Sequence, residues 1–305
     1  MLTSRFVALL LFVLAGCGGT PTLGECERSA AQPSPRVDAT DGGAPGDSAI
    51  VVDTDWLQAR LGDPSVQPID TRGFGYETSR IPGAIHLEPG DLQTTVDGVP
   101  SQVAPPLQAE PVLRAAGLRS DAIAVVYGEP PEYDSSRIVW TLRYYGHVDV
   151  RYLDGGYAAW TAARGAVETG PPCVAPTEYA IVAVDERLRV TGDWVLSQIG
   201  DPPFDMPAIQ LVDARSEGEY ASGRIPSARS VDWTSNLQNG FFRPETELEQ
   251  LYVGLDPART TVTYCVTGLR GSFDWLALTS LGYEDVRLYD GSWNEWGNGE
   301  FPVER

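Results

Sequence analysis

Thr261-Val262-Thr263-Tyr264-Cys265-Val266-Thr267-Gly268-Leu269-Arg270 holds a strand, a tight loop and the start of a helix. Thr261 to Tyr264 is a short β-branched run and reads as a buried strand. Beyond Arg270, the apolar residues Phe273, Trp275, Leu276 and Leu278 mark a helix. A strand that feeds a helix through a tight loop turns the loop's N–H groups and the helix N-terminus toward one point. The resulting positive field favours the thiolate, the nucleophilic form of a cysteine placed there. Cys265 stands at the head of this loop. Arg270 adds a permanent cation that can grip an anion through a fork of hydrogen bonds. Gly268 allows a turn that a side chain would block. The plain alternative is a buried core cysteine. A glycine and an arginine within the same loop weigh toward nucleophilic catalysis.

Outward from this loop, strands and helices alternate, which argues for an α/β fold with a parallel sheet. The order occurs twice. Ile69-Asp70-Thr71-Arg72 recurs as Val212-Asp213-Ala214-Arg215, and the segment Tyr76 to Ile85 recurs as Tyr220 to Arg229. Val125-Val126-Tyr127-Gly128 recurs as Val262-Thr263-Tyr264-Cys265, and Leu153-Asp154-Gly155-Gly156-Tyr157 as Tyr289-Asp290-Gly291-Ser292-Trp293. Matches in this order define an internal duplication. Domain 1 is expected over 49–170, a linker over 171–178 and domain 2 over 179–305. Gly128 takes the place of the cysteine in the first copy, and an acidic, Pro-rich loop (Glu129 to Asp134) follows it. That loop has no nucleophile and would repel an anion, so the chemistry is assigned to the second copy alone. Substituting Gly128 by Ala is accordingly expected to have little effect on activity.

The formal net charge of −20 argues against nucleic acid as a partner, because phosphate binding needs clustered Lys and Arg. The N-terminus carries Arg5, an apolar run from Phe6 to Leu14, and then Leu14-Ala15-Gly16-Cys17. The run is too short to span a bilayer and fits the apolar core of a secretory signal. Residues 1–16 are therefore expected to be a signal peptide, and 17–48, rich in Gly, Pro, Ser and Asp, a flexible tether. Cys26 and Cys173 lie in polar or Pro-rich sequence and are candidates for a disulfide in an oxidising compartment. With two histidines and no C-x-x-C pair, no metal site is expected. His86 and His147 read as structural. His147 follows a helix end, where an imidazolium is mildly favoured.

Taken together, the D-x-R strand ends, the R-I-P segments (Arg80-Ile81-Pro82 and Arg224-Ile225-Pro226), the cysteine loop and the D-G-G/D-G-S turns resemble the rhodanese family of sulfurtransferases in its tandem-domain form. The Leu-Ala-Gly-Cys ending resembles the lipobox of bacterial lipoproteins. The first resemblance implies two tandem rhodanese-like domains, an inactive N-terminal copy and an active C-terminal one. It implies that Cys265 takes a sulfane sulfur from thiosulfate or a mercapto-acid, becomes a persulfide, and passes the sulfur to cyanide or a thiol. It further implies a donor site built from Arg270, Val266, Thr267, Gly268 and Leu269, with Arg215 reading evenly as a further donor contact or as a structural partner of Asp213 or Glu217. No cofactor and a monomer are expected. The second resemblance implies lipidation at Cys17 and anchoring to a bacterial membrane on its extracytoplasmic side. Two departures bear on the donor. Val266 and Thr267 match neither the basic residue common in thiosulfate-type loops nor the small or polar pair of mercaptopyruvate-type loops. Glu219 stands where many thiosulfate-type members have a second arginine. Two rivals remain. One is a cysteine-loop phosphatase or arsenate reductase, disfavoured because four residues rather than five separate Cys265 and Arg270. The other is a non-catalytic persulfide-binding module.

Overall fold

The computed structural model describes residues 49–204 and 207–305. Its first half contributes strands β1 (Val51–Val52), β2 (Val66–Asp70), β3 (Ile85–His86), β4 (Gln93–Val96), β5 (Val99–Val103), β6 (Ile123–Tyr127) and β7 (Val150–Leu153). Its second half contributes β8 (Arg189–Val190), β9 (Gln210–Asp213), β10 (Arg229–Ser230), β11 (Leu237–Gln238), β12 (Phe241–Phe242), β13 (Thr261–Tyr264) and β14 (Val286–Tyr289). The sheets run β1-β7-β6-β2-β3 and β8-β14-β13-β9-β10, five strands each, with the same order in both halves. Every pairing in them is parallel. Helices cover both faces, so the central strands are buried throughout, as the unbroken apolar and β-branched runs demand.

The helices that matter for the site are α1 (Asp134–Tyr144) of the first half, α2 (Glu217–Ser222) and α3 (Leu269–Ser280) of the second. Helices α1 and α3 occupy the same place in the two copies and meet each other. Ser136 Oγ and Ser272 Oγ share a buried hydrogen bond of 2.9 Å between them. Around this contact a single apolar cluster draws on both halves, including Ile138, Trp140 and Tyr152 from one and Phe242, Phe273 and Trp275 from the other. Phe273 stacks on Phe242 with centroids 4.9 Å apart and meets Tyr152 edge-on at 6.1 Å. The two halves therefore share one core.

Two hairpins lock the halves further. β4–β5 turns through Asp97 (φ 51°) and Gly98 (φ 82°), and β11–β12 through Asn239 (φ 55°) and Gly240 (φ 85°). Two left-handed residues are what a tight hairpin turn of this twist requires, and Asp-Gly and Asn-Gly supply them cheaply. From the first hairpin, Val103 N donates to Asp290 Oδ2 at 2.8 Å. From the second, Phe242 N donates to Asp154 Oδ1 at 2.9 Å. Each hairpin thus holds the D-G turn of the opposite half.

Residues 177–185 run along the first half. Arg114 Nε donates to Tyr179 O at 2.6 Å, and Asp185 N donates to Tyr144 O at 2.7 Å. Cys173 is disulfide-bonded. Cys17 and Cys26, and with them the expected signal, tether and lipidation site, lie outside the described residues. Among the described residues no helix is long and apolar enough to cross a membrane, and no cluster of His, Cys, Asp and Glu could hold a metal ion.

Candidate active site

Cys265 follows β13 directly, at the carboxyl edge where open α/β sheets place their ligands. It is fully buried and is the free cysteine of the described residues. Gly268 caps α3 in the left-handed conformation (φ 79°), and no side chain caps the helix. The first N–H groups of a twelve-residue helix are thereby left for an anion at the loop. A Cβ on Gly268 would come within 2.8 Å of Arg137 Nη1 and 3.1 Å of Asp290 O, so both its φ and its surroundings demand glycine. Val266, Thr267 and Leu269 are half-buried around it.

The turn after β14 fastens the loop. Cys265 N donates to Ser292 Oγ at 3.2 Å, and Ser292 Oγ donates to Tyr289 O at 2.7 Å. Trp293 N donates to Cys265 O and Asn294 N to Val266 O, both at 3.0 Å. The sequence reading missed Ser292. Its signal is the comparison between copies: the first has Gly156 there, with φ 54° against 52° for Ser292. This residue keeps its left-handed φ in both copies, although the glycine before it does not (Gly155 φ 71°, Gly291 φ −66°), and the hydroxyl appears in the copy that has the cysteine.

Arg270 lies within reach of the cysteine but is already engaged. Its Nη1 donates to Glu219 Oε2 at 2.8 Å and its Nη2 to Oε1 at 2.9 Å. These bonds, and beyond them the charge of a Cys265 thiolate, push the guanidinium's proton affinity above its usual range. The same bonds hold Glu219 down to about 2. Glu219 is fixed in turn by its capping box with Ser216 at the start of α2. The fork expected to grip a donor anion is filled by a carboxylate of the protein itself. Arg215, read either as a donor contact or as a structural partner of Asp213 or Glu217, makes the structural pair. Its Nε and Nη2 go to Asp213, at 2.9 and 2.6 Å, and Nη2 also reaches Gly223 O at 2.7 Å. Tyr264 donates to the same carboxylate at 2.6 Å, and the Trp293 ring lies 4.3 Å from the guanidinium. The first copy repeats this cluster with Asp70, Arg72 and Tyr127, the last donating at 2.7 Å. A motif present in both copies, one without a cysteine, ties strand ends together and positions the walls of the site.

The R-I-P segments are architectural in the same paired way. Arg80 bonds Glu168 and Arg224 bonds Glu304, and each carboxylate also accepts a loop N–H, from Gly83 and Ser227 respectively.

At the vacant copy, a Cβ on Gly128 would stand 2.5 Å from Glu132 Oε1 and 2.8 Å from Ser135 Oγ. Glu132 Oε2 accepts Ser135 N at 2.9 Å. In the first copy a carboxyl group from its own loop occupies the space a cysteine side chain would enter. A methyl group on Gly128 would have to displace the Glu132 carboxyl and the Ser135 hydroxyl, a cost in stability that leaves the expectation for activity as it stands. Burial pushes the Glu132 carboxyl up to about 7. His86 stacks on Tyr76 at 4.8 Å and bonds Arg72 O, remote from a base's role toward Cys265. His147 is buried between Ala122 O (2.8 Å) and Tyr179 OH (3.2 Å). Burial lowers its proton affinity, so the imidazolium expected at the helix end is disfavoured instead.

The rhodanese-like domain family matches residues 53–163 and again 191–298. A thiosulfate sulfurtransferase of Corynebacterium glutamicum is 32% identical over 272 residues, covering 81% of this chain and 87% of that protein. The sulfur carrier protein TtuD of Thermus thermophilus is 32% identical over 272 residues, covering 82% of this chain and 94% of its own length. Among solved structures, SseA of Escherichia coli, described as a 3-mercaptopyruvate sulfotransferase with the rhodanese fold, superposes with a TM-score of 0.72 at 26% identity, over 81% of this chain and 100% of that one.

Proposed function

The chain belongs to the rhodanese family of sulfurtransferases, and we propose that it works through a persulfide on Cys265. The Cys265 thiolate attacks the outer sulfur of thiosulfate, or the thiol sulfur of a 3-mercapto-2-oxo acid, whose carbon–sulfur bond breaks to leave an enolate that takes up the proton. A new S–S bond forms at the cysteine, and the donor leaves with the electron pair of its broken bond, as sulfite in the thiosulfate case. Cyanide or a thiolate then attacks the outer sulfur, and the electron pair of the Cys265 S–S bond returns to Cys265. The α3 N-terminus stabilises the anionic sulfur in both states. The observation that carries this reading is the asymmetry of the copies. Where one has a free cysteine at an uncapped helix N-terminus, the other has a carboxyl group closing the same space.

The test is steady-state transfer from thiosulfate and from mercaptopyruvate to cyanide, in the wild type and in Cys265→Ser. Transfer by the wild type with either donor, abolished in the folded variant, is the expected result. Equal turnover in both would refute the assignment. The Thermus relative's name favours a second reading, in which the acceptor is a protein and the chain chiefly carries sulfur. Slow cyanide turnover with full loading of Cys265 would select it. We also propose, from Leu14-Ala15-Gly16-Cys17, that the chain is lipid-anchored at Cys17 outside the cytoplasm and acts as a monomer. Labelling with a radioactive fatty acid, lost on Cys17→Ser, tests the anchor.

A further inference from the structure

Arg137 belongs to α1 of the copy without a nucleophile, yet its guanidinium lies beneath the cysteine loop of the other. The side chain is completely buried. Its Nη2 stands 2.8 Å from Asp290 Oδ1 and donates to Ser101 O at 3.3 Å, and its guanidinium lies 4.7 Å from the Trp140 ring centroid. Nη1 is the atom that a Cβ on Gly268 would strike at 2.8 Å. Both Nη1 and Nε are buried and make no hydrogen bond. A buried cation is therefore pressed against the loop with two donors unspent. The equivalent place in α3 is filled by Phe273, so the first copy's loop receives no such cation in return.

The ion-pair group under the loop carries positive charge in excess. Asp290 is paired with Arg137 and also with Arg189, whose Nε is 3.2 Å from Oδ2. Two cations share one carboxylate under the loop. Above the loop, Arg270 is neutralised by Glu219, and beside it Arg215 by Asp213. Asp274, on α3 behind the site, is held well above the usual carboxylate range by burial. Of the ion pairs around Cys265, the Arg137–Asp290–Arg189 group is the one with charge in excess.

We propose that Arg137 is a positioning residue for Cys265, delivered across the domain interface, whose charge acts through the Gly268 turn to favour the anionic sulfur. The inactive copy then has a task in the chemistry beyond walling the cleft. The proposal rests on Cys265 as the reactive thiol, but its test does not require sulfur transfer.

The test is the rate of alkylation of Cys265 by iodoacetamide, an uncharged reagent that reacts with thiolate, in the full chain from pH 6 to 10. The modified peptide is quantified by mass spectrometry. Arg137→Gln is expected to slow the reaction roughly tenfold at pH 7, with the deficit closing by pH 10, where thiolate forms unaided. Arg137→Lys, which keeps the charge, is expected to stay within about threefold of the wild type. A deficit that is the same at every pH, or that Lys shares in full, would overturn the proposal and leave Arg137 a packing residue. Should the Gln variant fail to unfold cooperatively, the Lys variant decides: a tenfold loss there contradicts the charge role. Sulfur loading measured in parallel separates the two claims, since wild-type Cys265 that alkylates but takes no sulfur would count against the persulfide alone.

Discussion

Glu219 and Arg270 face each other through two parallel hydrogen bonds, of 2.8 and 2.9 Å, beside the buried thiol. A dianionic donor entering the site must share this arginine with a carboxylate already in place. Glu219→Gln leaves the side-chain volume and removes the charge. We expect it to lower the apparent KM for thiosulfate about three- to tenfold, with a smaller change in kcat. An unchanged or raised KM, measured with cyanide as acceptor, would show that Arg270 does not meet the donor.

The same pair sets an acid limit. The Glu219 carboxyl is held at about 2, below its ordinary 4.5, first by the bonds from Arg270. A group with a depressed value in the folded state contributes stability above the unfolded value and loses it as pH falls toward the folded one. Glu219→Gln is therefore expected to narrow the drop in thermal stability between about pH 4.5 and 2. Parallel curves for the two proteins would show that the pair contributes nothing measurable.

Glu132 behaves in the opposite sense. Burial raises its carboxyl to about 7. Its contribution is complete below pH 4.5 and is lost as pH rises through about 7. Glu132→Gln is expected to flatten the melting temperature across this window and to raise it by about 3 °C at pH 8. The measurement is differential scanning calorimetry of both proteins in matched buffers.

Gly128→Ala should destabilise by about 1–3 kcal/mol, because its methyl group meets the Glu132 carboxyl and the Ser135 hydroxyl. Gly128→Ala combined with Glu132→Ala is expected to recover most of that loss, a coupling that a double-mutant cycle reads directly. No recovery would mean the strain lies in the backbone.

Much of this was legible in the sequence. The duplication, the strand-loop-helix around Cys265 and the missing cysteine of the first copy follow from residue order alone. The cross-domain features were not. Asp97-Gly98 and Asn239-Gly240 are plain hairpin signals, but nothing local shows that the hairpins reach Asp290 and Asp154 in the opposite half. Arg215, at a strand end, reads evenly as a donor contact or as a structural partner of Asp213 or Glu217, and the geometry decides between them by turning its Nε and Nη2 onto Asp213. Glu132 reads as a repelling charge, whereas its place is inside the space that a cysteine side chain would occupy. Pattern identifies elements; which buried partner a side chain finds is decided by tertiary packing between distant segments.

The most direct test of the central claim is intact-protein mass spectrometry of the purified chain before and after thiosulfate, then after cyanide. The account predicts a gain of one sulfur atom, confined to the peptide holding Cys265, absent in Cys265→Ser, and removed by cyanide. A wild-type protein whose Cys265 stays unmodified with both thiosulfate and mercaptopyruvate, while its thiol remains open to alkylation, would contradict it.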